Sequence, residues 1–275
     1  MTRLAIVTGS NKGIGFAIAR NLCEKFDGTV MMTARDEGRG MAAVAKLKEQ
    51  GLSPVFHLLD IDNRDSIKAL RQTIEKEYKG LDVLVNNAAI AYPNASTVPF
   101  LEQATNTVRT NFFSLLDVCD ELFPLLRPHA RVVNLSSSAG MLARVEGEEM
   151  RKRFSNPNLT IPELRAMMDE YIEDVKKECH IKKGWPLTAY CTSKVAVSAL
   201  SFIQQRHFDK DSREDIVVNA VHPGYVDTDM TSHKGPLTIE EGADAPTYLA
   251  LLPPNVKEPR GAMIWNDRSI VDWAK

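Results

Sequence analysis

Neither sign of charge predominates in this 275-residue chain: 34 basic side chains are met by 36 acidic ones, for a formal net charge of −2 at pH 7. Bulk attraction to nucleic acid is excluded on that ground, and so is a polyanionic tail. Cysteine is scarce. The four present (Cys23, Cys119, Cys179 and Cys191) form no CxxC pair and fall far short of the density of a disulfide-stapled secreted domain. They read as reduced thiols of a cytoplasmic protein. No apolar run is long enough to span a bilayer, and the first, Leu4 to Thr8, is too short for the core of a signal peptide, so no membrane association is expected. Repeats at solenoid periods and low-complexity tracts are also missing. His57, His129, His180, His207 and His233 show no ligand spacing, so no metal site is expected.

What the chain does contain is an apolar share of 44%, enough for a substantial core, arranged as alternating strand and helix signals. Strand-like runs are Leu4–Val7, Thr29–Thr33, Val55–Leu59, Val83–Val85, Arg131–Leu135, Ile216–Val221 and Ala262–Trp265. Helical patterns cover Ile14–Phe26, Gly40–Gln50, Asp65–Glu77, Asn111–Leu126 and Ala196–His207, with Pro124 and Pro128 marking the end of the fourth. The strands are continuously apolar rather than alternating. That implies burial on both faces, hence an α/β fold: one doubly wound, Rossmann-type parallel sheet with helices on each side. The whole chain, 1–275, reads as one dinucleotide-binding catalytic domain.

One segment, about 143–186, breaks the rhythm. It is polar, carries no strand signal, and contains Thr160-Ile161-Pro162-Glu163, a capping box with proline in the first turn. Leu164, Met167, Met168, Tyr171, Ile172, Val175 and Cys179 follow at helical spacing, and Lys182-Lys183-Gly184 reads as the stop. The segment is an inserted amphipathic helix: a packing appendage, or a wall of a substrate pocket or oligomer surface.

Three clusters carry chemistry. Gly9, Asn11, Lys12, Gly13, Ile14 and Gly15 lie between the first strand and the first helix. Glycines there let the backbone approach a pyrophosphate at a helix N-terminus. The second strand exits through Arg35, a planar cation suited to a 2′-phosphate, with Lys12 as a second cation for the same group; together they favour NADPH over NADH, although Asp36 follows directly. The third cluster places Tyr190 and Lys194 on one helical face, where an ammonium and an oxidised nicotinamide would lower the phenol's proton affinity. Upstream, Ser136, Ser137 and Ser138 leave the carboxyl edge of the fifth strand, where one could polarise a carbonyl. Alternation favours either Ser136 and Ser138 together or Ser137 by itself. Asn86-Asn87 ends the fourth strand, and Thr110-Asn111 opens the helix after the next crossover.

With the glycine loop, Asp60-Ile61, Asn86-Asn87-Ala88, Asn111, the serine run, Tyr190/Lys194 and His222-Pro223-Gly224 with Val226–Met230 in this order, the chain resembles the short-chain dehydrogenase/reductase family over essentially its whole length. Within it, Arg35, Lys12 and the insertion make it most like the monomeric NADPH-dependent carbonyl reductases. The resemblance implies that Tyr190 is the general acid of carbonyl reduction, that Ser137 positions the carbonyl, that Lys194 tunes the tyrosine and binds ribose, and that Asn111 holds a proton-relay water. It further implies that Asp60 and Ile61 face adenine, Asn87 the adenosine ribose side, and Pro223, Gly224, Val226 and Thr228 the nicotinamide. Tyr225 would join the substrate pocket. Substrates would be small aldehydes, ketones or quinones, the enzyme a monomer whose insertion blocks the usual oligomer contact. Two positions depart from the family: Ala89 replaces a usual glycine, and Tyr225 stands where relatives often carry tryptophan. Tyr92-Pro93-Asn94 and Gln103 fall where some carbonyl reductases contact glutathione conjugates. Oxidation of alcohols or hydroxysteroids by the same residues, and cofactor sensing without catalysis, are the competing functions.

Overall fold

The computed structural model describes residues 2–93 and 95–275; Asn94 of the Tyr92 loop lies outside them. Eight strands form one sheet in the order β3-β2-β1-β4-β5-β6-β7-β8. They are β1 (Leu4–Val7), β2 (Thr29–Ala34), β3 (Val55–Leu58), β4 (Leu81–Asn86), β5 (Leu126–Leu135), β6 (Val217–Val221), β7 (Met263–Ile264) and β8 (Ile270–Val271). The first seven run parallel; β8 pairs antiparallel with β7, a short edge hairpin without strand signal in the sequence. The chain order reverses between β1 and β4, the switch point at which such sheets open a crevice.

Side-chain alternation explains the two covered faces. From β1, Ala5 and Val7 point into a core shared with α1 (Gly13–Lys25), α2 (Glu37–Glu49) and α9 (Ile239–Ala250). Leu4 and Ile6 point the other way, towards α3 (Arg64–Thr73) and α5 (Leu115–Leu122). The central strands β1, β4 and β6 are buried on both sides, whereas the edge strands β3 and β8 are partly exposed. The long α8 (Ala189–Phe208) lies on this second face and carries a row of buried polar side chains. Asn86 donates to Asn134 Oδ1 at 2.8 Å, and Asn134 donates to Ser201 Oγ and Gln204 Oε1, each at 2.9 Å. This ladder sets the position of α8 against β4 and β5.

Several boundaries differ from the sequence reading. Residues Thr110-Asn111 do not open a helix. Helical structure already begins at α4 (Phe100–Val108), passes through a π turn at Arg109–Ser114 and continues as α5, so Asn111 sits in mid-helix. Leu126 starts β5 rather than ending a helix. The helix α8 begins seven residues before Ala196, because Thr188 caps it by accepting from the Cys191 N–H at 3.1 Å. α9 escapes the pattern because Gly242 and Pro246 interrupt it, although Thr238 and Glu241 form a capping box at its start.

The insertion holds α6 (Glu148–Phe154), drawn from its polar first part, and α7 (Ile161–Lys176), which begins at the expected capping box. α7 ends at Lys176, before the Lys182-Lys183-Gly184 stop, since Glu178 adopts a left-handed backbone (φ 54°). Its apolar stripe, Leu164, Met167, Met168, Tyr171 and Val175, is buried against α4, α5 and α8. The returning chain is fastened by one buried carboxylate: Asp174 accepts from Lys183 Nζ at 2.7 Å and Trp185 Nε1 at 3.0 Å. Removing it leaves a buried indole N–H unpaired. Urea unfolding of Asp174→Ala should show a loss of about 2–3 kcal/mol, and Asp174→Asn, which keeps an acceptor, a smaller one.

Candidate active site

The turn after β1 depends on two glycines in the left-handed region, Gly9 (φ 62°) and Gly13 (φ 59°). At Gly15 the constraint is contact: a Cβ would overlap the Asn87 side chain and stand 2.7 Å from the Gly9 carbonyl oxygen. Asn87 ties this loop to the β4 exit by donating from Nδ2 to the Thr8 and Gly9 carbonyls at 2.9 and 3.0 Å, while its own N–H donates to Thr8 Oγ1 at 3.0 Å. The result is a cleft of about 650 Å³ at the switch point, with bare backbone at its floor. Such a cradle fits a dinucleotide diphosphate at the N-terminus of α1.

Gly9, Asn11, Lys12, Gly13, Ile14, Gly15, Arg35, Asp60, Ile61, Asn87 and Thr228 all line this cleft. Pro223, Gly224, Val226, Tyr190 and Lys194 do not; Val226 is buried over Gly242, and Tyr225 is half exposed. The sequence reading missed Arg39, Asp62, Thr110, Asp229 and His233 in the lining. Arg39 carries a recognisable signal, a second arginine in the helix that follows Arg35.

The structure also separates Arg35 from Asp36. Arg35 is exposed at the cleft. Asp36 caps α2, accepting from the Arg39 N–H at 2.8 Å, with the Arg39 guanidinium 3.5 Å away. The backbone N–H of Arg39, chiefly, holds this carboxyl below its usual range. One of its oxygens, Oδ1, is thereby committed to the helix start. Lys12 does not stand free beside Arg35, as the sequence suggested: its ammonium pairs with Asp229. His233 completes that cluster, with Nδ1 2.6 Å from Asp227 and Nε2 3.0 Å from Asp229, and these two hydrogen bonds raise its proton affinity.

Beyond the cleft, β5 delivers the serines and α8 the tyrosine and lysine. Among the three serines, burial sets Ser136 apart. Ser136 turns into α8, bonding Ser198 Oγ at 2.7 Å and donating to the Lys194 carbonyl at 3.2 Å. Ser137 is half-buried, caps the short turn Ser138–Gly140, and lies beside the Tyr190 phenol. Asn111 accepts from the Ile90 N–H at 2.8 Å and donates to the Ile90 carbonyl and to Ser193 Oγ, both at 3.0 Å. It thus clamps the β4 exit loop to α8, three residues from Tyr190. Its place in the π turn directs a buried carboxamide inward where an α-helical register would turn it elsewhere.

In the protein alone the phenol is not acidified. Burial pushes the Tyr190 hydroxyl up to about 12, against which the Ser137 hydrogen bond pulls only partly. Lys194 Nζ lies 5.7 Å from the tyrosine ring centroid and is itself buried, donating to the Leu135 carbonyl at 2.7 Å. Burial brings its ammonium down to about 8. Desolvation is felt by both groups and sets the direction of both shifts. Elsewhere, Tyr92 accepts from Asn106 at 2.9 Å and Gln103 donates to the Val98 carbonyl at 2.7 Å, so both polar ends are locally engaged.

Comparison with known proteins gives the same picture. Residues 3–148 match the family described as short chain dehydrogenase. Carbonyl reductase (NADPH) 3 of Rattus norvegicus is 50% identical over 274 residues, covering 99% of each chain. Carbonyl reductase (NADPH) 1 of Bos taurus is 50% identical over 273 residues, 98% of each. Among solved structures, salutaridine reductase from Papaver somniferum superposes with a TM-score of 0.86 at 30% identity, covering 95% of this chain and 99% of that one. With the glycine cradle at the switch point and Tyr190, Ser137 and Lys194 gathered at the sheet's carboxyl edge, this protein belongs to the short chain dehydrogenase family.

Proposed function

We propose that the protein is an NADPH-dependent carbonyl reductase, converting small aldehydes, ketones or quinones to alcohols. The observation that carries this reading is the convergence of Tyr190, Ser137 and Lys194 where α8 meets the end of β5, next to the dinucleotide cleft. Half of all residues shared with relatives named carbonyl reductase (NADPH) supports the substrate class and the cofactor.

The cofactor, when bound, supplies a hydride to the carbonyl carbon. Gly9, Gly13 and Gly15 would leave room for its diphosphate, Arg35 and Arg39 would hold the 2′-phosphate, Asp60 and Ile61 would border the adenine, and Asn87 would border the adjoining ribose. Pro223, Gly224, Val226 and Thr228 form the edge on the nicotinamide side. Ser137 donates to the carbonyl oxygen and fixes it opposite the phenol. Tyr190 gives that oxygen its proton as charge develops there. A phenol pushed up to about 12 is protonated at neutral pH, the state a proton donor requires. Lys194, charged below about 8, lowers the cost of the phenolate left behind. Asn111 holds the water that returns a proton to Tyr190 from bulk solvent, and Tyr225 edges the substrate.

The chain works as one catalytic unit and as a single copy, since α7 occupies the face of α4 and α8 on which a second subunit would pack. The four cysteines are free thiols, and no described helix is long and apolar enough to cross a membrane, in keeping with a cytoplasmic enzyme.

Tyr190→Phe should lower carbonyl turnover about 10³-fold, while NADPH binding, followed by its fluorescence, stays within about threefold of wild type. Turnover that survived the change would remove the tyrosine from the chemistry. Arg35→Asp should cut the NADPH-over-NADH preference in kcat/KM about 10–100-fold; an unmoved ratio would mean that Arg35 does not face the phosphate. Because the free enzyme's Lys194 loses its proton near pH 8, reductive kcat/KM should be level from about pH 6 to 7.5 and decline above about 8. A profile rising through pH 8–9 would contradict the role given to its charge.

A further inference from the structure

We propose that Trp273 is a positioning residue for the Ser137 hydroxyl, acting through the peptide of Gly140. The inference rests on the reading of Ser137 as the group that orients the carbonyl. Ser137 is not a free rotor on a strand end. Its Oγ accepts from the Ala139 N–H at 3.1 Å, and its carbonyl accepts from the Gly140 N–H at 2.8 Å, so the hydroxyl is bound to the short turn Ser138–Gly140. Whatever fixes that turn fixes the hydroxyl.

The turn is held on two sides. On one it lies hard against α8: a Cβ at Gly140 would stand 2.7 Å from the Lys194 carbonyl oxygen and 2.9 Å from Ser198 Oγ. On the other it meets a segment far away in sequence. Trp273 Nε1 donates to the Gly140 carbonyl at 2.6 Å, and the Trp273 carbonyl accepts from the Leu142 N–H at 3.1 Å. These reciprocal bonds close a separation of 133 residues. The indole is itself immobilised, 9% exposed and edge-on to Phe202 of α8 at 5.1 Å. The same helix that carries Tyr190 and Lys194 therefore supports the side chain that pins the serine turn. A group that must point at a reacting oxygen gains from a second ring of fixed contacts, because a shift well under an ångström already lowers the rate.

The test is a double-mutant cycle on turnover, read by loss of NADPH absorbance. Trp273→Phe keeps an aromatic ring against Phe202 and removes the donor; it should lower kcat roughly tenfold and leave KM for NADPH within about twofold. In a Ser137→Ala background the same substitution should change kcat by less than about twofold, since the group it positions is gone. Trp273→His, which retains a ring N–H, should stay within about threefold of the wild-type kcat and carries the test if the phenylalanine variant fails to fold. Equal effects of Trp273→Phe in both backgrounds, or an impairment of Trp273→His as deep as that of Trp273→Phe, would overturn the positioning role. Those results would leave the reductase reading intact. Persistent turnover in Tyr190→Phe would sink that reading whatever the cycle gave.

Discussion

The ammonium of Lys194, 4% exposed and donating to the carbonyl of Leu135, is the constraint around which this half of the molecule is arranged. A buried charge is tolerated only where polar partners and fixed geometry are supplied. Here the Leu135 carbonyl is the partner, and the fixed geometry comes from an inward side of α8 that is polar as well as apolar. Ser193 bonds Asn111, Ser198 bonds Ser136, and Ser201 and Gln204 bond Asn134. An apolar stripe would let the helix slide by a fraction of a turn at little cost. These directional contacts do not, and so the register of α8 on β4 and β5 is set where a tyrosine has to meet a serine.

The same desolvation governs the electrostatics. Removing water raises the phenol's hold on its proton and weakens the lysine's. Tyrosine and lysine at helical spacing suggest mutual activation, yet in the protein alone each is dominated by its own burial. The pair is tuned as a donor at rest. At the other end of the crevice, charge is distributed by a different rule. Asp36 is consumed by the cap of α2, while Arg35 remains exposed at the rim, so two adjacent residues of opposite sign do not cancel.

Much of this was legible in the sequence. The sheet could be read because parallel strands buried on both faces are continuously apolar, and Leu4–Val7 starts and stops where the pattern places it. The glycine loop could be read because few residue types tolerate its backbone. What stayed hidden had specific causes. One run of helix, α9, was concealed by Pro246 within it, and one strand, β8, was only two residues long. The choice among three serines needed to know which side chain faces α8. The engagement of Lys12 by Asp229 and of Asp36 by its own helix depended on contacts that spacing does not express. The sign of the tyrosine's shift depended on solvent exclusion, a property of the folded environment.

The π turn at Arg109–Ser114 has a further consequence. It accommodates one residue more than an α-helix would over the same length, so the faces before and after it are offset by about 100°. Phe100–Val108 can therefore turn towards α7 and α8, while Leu115–Leu122 turns towards the sheet, within a single uninterrupted rod. The surplus residue works as a built-in rotary joint. Excising it would force every side chain downstream to trade places with its neighbour, and the carboxamide that fastens the two crossovers would be the first to lose its target.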